Sequence, residues 1–418
     1  MNIQIISIFP NLIDEFSKTG IISRAIKSGQ VSIQATQLRN YCINSQGQLD
    51  DTPYGGGSGM VLRPEPVEAA IKEAKAAHPK ARTILMSPRG KKLTQEKARA
   101  LANSGDDLII LCNRYEGVDQ RAIDLFIDEE ISIGDFILMG GETAALTLVE
   151  SVVRIIPGVL GNPESLVLES YESPYLEHPQ YTKPRVFMEK EVPSQLYSGN
   201  HVEIEQWKSD TRLKDTLERR PDLLAASKEV TSPVFVALMH HPVMGKQKEI
   251  IVSSITNIDL HDISRSCRTY GVQNFYAAHP IKTMRKLSEK ILEHWDTGFG
   301  ATYNPNRKDA LSIAKIVRDF DDIILDIEKQ TGQLPEVVAT SARPMEGALT
   351  FVQARALMRS ITKPVLILLG TGWGMAPELI ERCTIRIEPI YGRGEFNHLS
   401  VRAAAAIVLD KLLGRSMV

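Results

Sequence analysis

The chain of 418 residues contains no run of 18 consecutive apolar residues, so nothing in it reads as a membrane-spanning helix. Its first residues, MNIQIISIFP, lack the charged start and the long apolar stretch of a secretory signal, and no cleaved leader is expected. Cysteine is scarce: Cys42, Cys112, Cys267 and Cys383 form no CxxC pair. That scarcity excludes a disulfide scaffold and a thiolate zinc site, and points to reduced, structural thiols in a cytoplasmic protein. His240, His241 and His398 come without the cysteine or carboxylate spacing a metal site needs, so no metal centre is expected. The excess of one charge sign is small as well. A net charge of −2 creates no global pull toward nucleic acid, so any RNA contact must come from local patches, and neither a membrane nor DNA is expected as a partner.

What is present is an ordinary globular composition, 43% hydrophobic and 24% charged, on a length that allows two to four domains. Strand-like and helix-like segments alternate: Asn2 to Ile8 (strand), Pro66 to Ala77 (helix), Thr83 to Met86 (strand), Thr94 to Asn103 (helix), Leu108 to Cys112 (strand). Near-continuous apolar strands between amphipathic helices predict an α/β fold with a parallel sheet covered on both faces. Ile131 to Gly161 then runs from an apolar segment through glycines into a helix over Ala144 to Ile155, an order that lets backbone N–H groups approach a ligand closely. From Gly161 to Tyr197 the pattern breaks into Pro, Ser, His and Tyr, which reads as a long linker, and Asn200 to Ala226 reads as helical. A boundary falls near Lys228 to Pro233, and Val234 to Met239 starts a new alternation that continues through a helix near Asp262 to Tyr270 and strands at Val337 to Ala339 and Val365 to Leu369.

The second alternation echoes the first. SPR at Ser87 is answered by SAR at Ser341, LTQEKARAL at Leu93 by LTFVQARAL at Leu349, LIILCNRYEG at Leu108 by LILLGTGWGM at Leu366, and the glycine-bearing run from Ile131 by one from Ile385. The offsets are 254, 256, 258 and 254 residues. Conserved order and spacing at a domain-sized period indicate two diverged copies of one domain type. The expected division is 1–160, a linker and small helical domain at 161–230, and 231–418.

Several motifs carry a family likeness. YGGGSGM at Tyr54, SPRGKKL at Ser87, CNRYEGVDQR at Cys112 and IGDFILMGGE at Ile133, followed by IPGVLG, YTKPRVF, LYSGNHVEIEQWK and RRPDLL, closely resemble the bacterial tRNA (guanine-37, N1)-methyltransferase family over about residues 1 to 225. The resemblance implies the SPOUT class of fold, whose parallel sheet ends in a deep trefoil knot holding S-adenosylmethionine. Residues from about Ser232 to Gly414 resemble a second SPOUT domain of RNA methyltransferase type, on NIDLHDISRSCRTYG at Asn257, TSAR at Thr340, LLGTGWGM at Leu368 and IYGRGEFNHLSVRAAAAI at Ile390.

By that likeness, three loops surround the cofactor: Met86, Ser87 and Pro88; Asn113, Tyr115 and Glu116; and Ile133, Gly134, Asp135, Phe136, Ile137 and Leu138 with Gly140 and Gly141. Asn113 stands where relatives carry glycine. In the second copy, Gly370, Gly372, Ile390, Asn397, Leu399 and Ser400 are the matching positions. Arg154 and Glu169 are the expected catalytic pair. Methylating guanine N1 requires a carboxylate to accept the N1 proton and a cation to stabilise charge building on O6. Glu169 falls where the family has aspartate, and Glu172 is the nearest substitute. Tyr54, Gly55, Gly56 and Gly57 fit a pocket for a flipped guanine, or else a plain surface loop. Tyr181, Lys183 and Arg185, with His178, Trp207, Lys208, Arg212, Lys214, Arg219 and Arg220, offer phosphate and stacking contacts to a tRNA stem-loop, with a solvated helix face as the alternative. The resemblance further implies a homodimer with shared active sites and a need for Mg²⁺ without a dedicated ligand cluster. For the C-terminal copy, Arg265 and Arg343 are the best polar candidates, and a methyltransferase and an accessory binding module both remain open readings.

Overall fold

The computed structural model describes residues 1–162, 166, 168–227, 230–297, 304–394 and 396–415; Lys228 and Glu229 at the expected boundary, and Glu395 in the last motif, lie outside them. The chain forms two compact units, Met1–Ser173 and Pro174–Val418. The expected boundaries at 160/161 and 230/231 do not coincide with this division.

In the first unit, strands β1 (Asn2–Ser7), β2 (Ser32–Gln37), β3 (Arg82–Lys92), β4 (Leu108–Cys112) and β5 (Glu129–Ser132) form a wholly parallel sheet in the order β2-β1-β4-β3-β5. All five residues of β4 are buried, which is why its sequence reads as an unbroken apolar run. Alternate side chains feed opposite cores. Ile5, Ile84, Ile110 and Cys112 pack with Leu148, Val149 and Val152 of helix α6 (Glu142–Val153), whereas Ile6, Leu85, Ile109 and Leu111 pack with Val67, Ala70 and Ile71 of α3 (Pro64–Ala77). Helices α1 (Pro10–Ser17), α2 (Gly20–Lys27), α4 (Gln95–Ser104) and α5 (Gln120–Phe126) complete the layers. Strand β3 runs past its expected end at Met86. Ile131 faces both Met86 and Lys91, so Ser87–Gly90 bulges out of the ladder instead of turning into a helix.

The second unit repeats this plan. Strands β6 (Val234–Met239), β7 (Asn274–Ala278), β8 (Ala314–Val317), β9 (Glu336–Ala339), β10 (Val365–Gly370) and β11 (Ile385–Arg386) are parallel in the order β8-β7-β6-β10-β9-β11. With the edge strand β8 removed, that is the order of the first sheet, strand for strand. The repeat read from the sequence is thus a repeat of topology. Helix α7 (His201–Arg219) and helix α8 (Pro221–Ser227), which the sequence places in a separate small domain, belong to this unit: α8 packs against the helix Phe351–Ser360, and Gln353 Nε2 donates to Leu217 O at 3.2 Å. Two residue pairs, Val186–Phe187 and Lys190–Glu191, form a small hairpin within the expected linker. No helix among the described residues is long and apolar enough to cross a membrane.

Candidate active site

Parallel strands place their carboxyl ends on one edge, where open α/β sheets bind ligands. In the first unit three loops leave that edge: Ser87–Gly90 from β3, Asn113–Val118 after β4, and Ile133–Gly141 after β5. They enclose one cavity of about 290 Å³. Met86, Ser87, Pro88, Asn113, Tyr115, Glu116, Ile133, Gly134, Phe136, Ile137, Leu138, Gly140 and Gly141 all line it. Asp135 does not; it points to solvent and pairs with Lys92 at 2.8 Å.

The loops lock together by backbone. Gly141 N donates to Asn113 O at 2.7 Å, and a Cβ at position 141 would lie 2.5 Å from Asn113 N, so only glycine lets the two strands' extensions meet. The middle loop turns through positive φ at Tyr115, 56°, and at Gly117, and not at Asn113. The Asn113 side chain instead carries a buried Oδ1 with no hydrogen-bond partner in the structure, an acceptor beside the cavity that suits an amine donor.

Sequence reasoning missed the network under this floor. Glu142 is 3% exposed, yet it accepts from Ser7 Oγ at 2.8 Å and pairs with Arg114 Nε at 3.5 Å. Arg114 in turn donates to Met139 O at 2.9 Å and lies over the Phe9 ring at 4.5 Å. The network ties the end of β1, the middle loop and the start of α6. Burial beside it pushes the Cys112 thiol up, out of reach of ionisation. The pairing of Arg and Glu within CNRYEG and MGGE was the signal available, since a buried glutamate needs a cation.

Arg154 is the C-cap residue of α6 and meets Glu169 in a two-pronged pair: Nη1 donates to Oε2 at 2.8 Å and Nη2 to Oε1 at 2.5 Å. That fork raises the guanidinium's already high pKa, chiefly through the hydrogen bond to Glu169. Both side chains keep about 30% exposure, at 31% and 27%, and neither lines the cavity of its own chain. Glu172 is tied elsewhere, to Gln95 at 2.8 Å and to Arg99. The loop Tyr54–Gly59 is exposed, with Tyr54 wholly so and Gly55, Gly56 and Gly57 at positive φ. Its far end is pinned to the middle loop, as Glu116 N donates to Met60 O at 2.9 Å.

The remaining expected contacts lie in the second unit. Tyr181, Lys183 and Arg185 are exposed; Tyr181 and His178 set edges against Trp207, and Arg185 stacks on Tyr197 at 3.9 Å while pairing with Glu191. Lys208 and Arg220 pair with Glu205 and Asp222, and Arg212 donates to Leu176 O at 3.2 Å, so part of this basic set is already neutralised or engaged locally.

The second sheet presents the same three loop ends. Gly370 ends β10 and Gly372 follows in its loop, which is held by Met244 N donating to Gly374 O at 2.8 Å. Ile390 packs on the core, Asn397 Nδ2 donates to Ala342 O at 2.6 Å, Leu399 is partly exposed, and Ser400 caps the helix Val401–Leu413. His240, which the sequence favours as a structural or polar-surface histidine over a metal ligand, is fully buried, with Nδ1 3.0 Å from Ser253 Oγ and its ring 5.8 Å from that of His279. Burial pushes its pKa down to about 4. Among the described residues no group of three or more His, Cys, Asp or Glu is placed to hold a metal ion. Arg265 and Arg343 are both exposed.

Residues 1–226 match the family described as tRNA (Guanine-1)-methyltransferase TrmD. This chain belongs to that methyltransferase family. Residues 233–414 match a second family, described as SAM-dependent RNA methyltransferase. A tRNA (guanine-N(1)-)-methyltransferase of Oleidesulfovibrio alaskensis is 40% identical over the whole of both chains. One from Nitratidesulfovibrio vulgaris is 40% identical over 99% of each. One from Myxococcus xanthus is 48% identical over 53% of this chain and 90% of its own. Two methyltransferase families in one chain account for the doubled topology. S-adenosylmethionine, which both families use, suits the first cavity: the loops offer backbone donors and acceptors, apolar walls, and the unpartnered Asn113 Oδ1.

Proposed function

We propose that this methyltransferase modifies N1 of guanine 37 in tRNA, with Glu169 as proton acceptor and Arg154 as the cation beside O6. The observation that carries this reading is the Arg154–Glu169 fork, which brings an acid–base group and a fixed positive charge together. S-adenosylmethionine supplies an electrophilic methyl group on a sulfonium sulfur. Guanine N1 becomes nucleophilic as its proton passes to the Glu169 carboxylate. For that transfer the entering base takes the place of Glu169 on the Arg154 fork, which frees the carboxylate and sets the guanidinium to stabilise charge on O6; N1 would then take the methyl group as its bond to sulfur breaks, leaving the neutral thioether S-adenosylhomocysteine. Met86–Pro88, Asn113, Tyr115, Glu116 and Ile133–Gly141 hold the cofactor, and Tyr54–Gly57 receive the base.

The same reading includes trefoil knots in both sheets and a homodimer in which Glu169 and Arg154 of one subunit serve the cavity of the other. Two features support the shared site. The pair lies off its own chain's cavity, and Phe136, Ile137 and Met139 leave 55%, 80% and 92% of their surface open at the cavity rim, apolar area that a partner would cover. Functionally, 1–160 acts as the first methyltransferase domain, 161–230 as the linker and tRNA-binding segment with Tyr181, Lys183 and Arg185 on phosphates, and 231–418 as a second S-adenosylmethionine-dependent RNA methyltransferase using Gly370, Gly372, Ile390, Asn397, Leu399 and Ser400. The enzyme works in the cytoplasm and depends on Mg²⁺. Methylation of a tRNA transcript carrying G36 and G37, and its loss when G37 is replaced, tests the assignment; unchanged methylation after that replacement would sink it. Chelation followed by Mg²⁺ add-back tests the ion.

A further inference from the structure

Beside Glu169 stands a second carboxylate with no part in the chemistry above. Glu172 N donates to Glu169 O at 3.3 Å, closing a turn in which Tyr171 adopts a left-handed backbone at φ 73°. A tyrosine holds that conformation only where its surroundings over-determine it. Two of the contacts that fasten the turn come from its carboxylates. At one, the Glu169 carboxylate is gripped by Arg154 at the end of α6. At the other, Glu172 Oε1 accepts from Gln95 Nε2 at 2.8 Å and Oε2 accepts from Arg99 Nη2. Gln95 and Arg99 lie four residues apart on α4, so they project from one face and converge on a single carboxylate. Both carboxylates are engaged at both oxygens, but the Glu172 side chain is 12% exposed against 27% for Glu169, so one is sealed and the other reachable.

We propose that Glu172, clamped by Arg99 and Gln95, is a positioning residue that fixes the turn from which Glu169 reaches the guanine. The inference rests on Glu169 being the proton acceptor. Glutamate carries one more methylene than the aspartate of the family, so its oxygens sweep a wider arc from the same backbone. Holding the backbone is then what confines the carboxylate. Glu172 is also the less accessible of the two carboxylates, 12% exposed against 27%, which leaves Glu169 as the one a base can reach.

The test is single-turnover methylation of the G36/G37 transcript by the full-length protein, at saturating tRNA and S-adenosylmethionine. Glu172→Ala and Arg99→Ala should each slow the step by about 10- to 100-fold, the scale of a misplacement near 1 Å. S-adenosylmethionine affinity should not change, and the double variant should be no slower than either single one. Arg99→Lys, which keeps the charge but not the guanidinium geometry, should fall between. In a Glu169→Gln background, Glu172→Ala should produce no further loss, because a residue acting through Glu169 has nothing left to act on. The proposal fails if Glu172→Ala and Arg99→Ala stay within twofold of the parent rate, or if Glu172→Ala slows the Glu169→Gln enzyme by the same factor as the parent. Should Glu172→Ala not fold, the partly exposed Arg99 supplies the same comparison. A fully active Glu169→Gln enzyme would instead overturn the choice of base.

Discussion

Replacing Gly141 by alanine isolates the contact on which the cofactor cavity depends. The added Cβ would stand 2.5 Å from Asn113 N, 2.9 Å from Cys112 Cα and 3.1 Å from Cys112 C. All three are backbone atoms at the end of β4, which is buried on both faces and cannot swing aside. Ordinary contact begins near 3.4 Å, so the two segments must separate by about 0.9 Å. That movement lengthens the 2.7 Å bond from Gly141 N to Asn113 O to about 3.6 Å, beyond hydrogen-bonding range. Losing the bond costs roughly 0.5–1.5 kcal/mol and the overpacking about 1–3 kcal/mol. For a unit of this size each kcal/mol lowers Tm by about 2–4 °C, so a fall of roughly 3–18 °C is expected for the first unit. The wall of the cavity moves by nearly 1 Å, and methyl transfer should drop by about 100-fold. Calorimetric melting, S-adenosylmethionine titration and initial rates of the Gly141→Ala protein check this. Gly161→Ala serves as the control, because no atom lies within 4 Å of its added Cβ. A Gly141→Ala protein with the parent's Tm and cofactor affinity would refute the reasoning.

Glu169→Gln, which keeps size and removes basicity, should lower the single-turnover rate by about 10²–10⁴-fold, while Glu169→Asp should retain most of it. Arg154→Lys keeps the charge but not the fork, and should cost less than Arg154→Ala in the same assay. In the second unit, burial holds His240 at a pKa of about 4 and lowers that of His279 as well. Above about pH 6.5 both folded and unfolded histidines are neutral and contribute nothing; as pH falls from there toward 4 the unfolded chain takes up protons first. Stability should therefore decline over that window by up to about 3 kcal/mol from His240, and level off below it, in calorimetry between pH 7 and 4. His240→Asn should flatten the slope. Lys183→Ala should weaken tRNA binding and reduce the dependence of log Kd on log salt by about 0.7–0.9, with no change in S-adenosylmethionine affinity.

The sequence by itself determined the doubled α/β plan and the loops of the first site. β4 is apolar at every position because both its faces are buried, and the motif offsets near 256 survive as an identical strand order. The family resemblance carried by its motifs also named Arg154 and Glu169, fifteen residues apart, as a pair. Other features depend on contacts between segments that no local pattern encodes. The bulge that carries β3 on to Lys92 exists because Ile131 of β5 faces it twice. Helices α7 and α8 look self-contained in sequence, yet α8 packs against Phe351–Ser360, far along the chain. Glu142 is a polar residue at a helix start, where solvent exposure is the ordinary expectation; only the approach of Ser7 and Arg114 makes its burial affordable. Glu172 and Glu169 look alike three residues apart, and what separates a sealed anchor from an open base is where α4 and α6 place their cations.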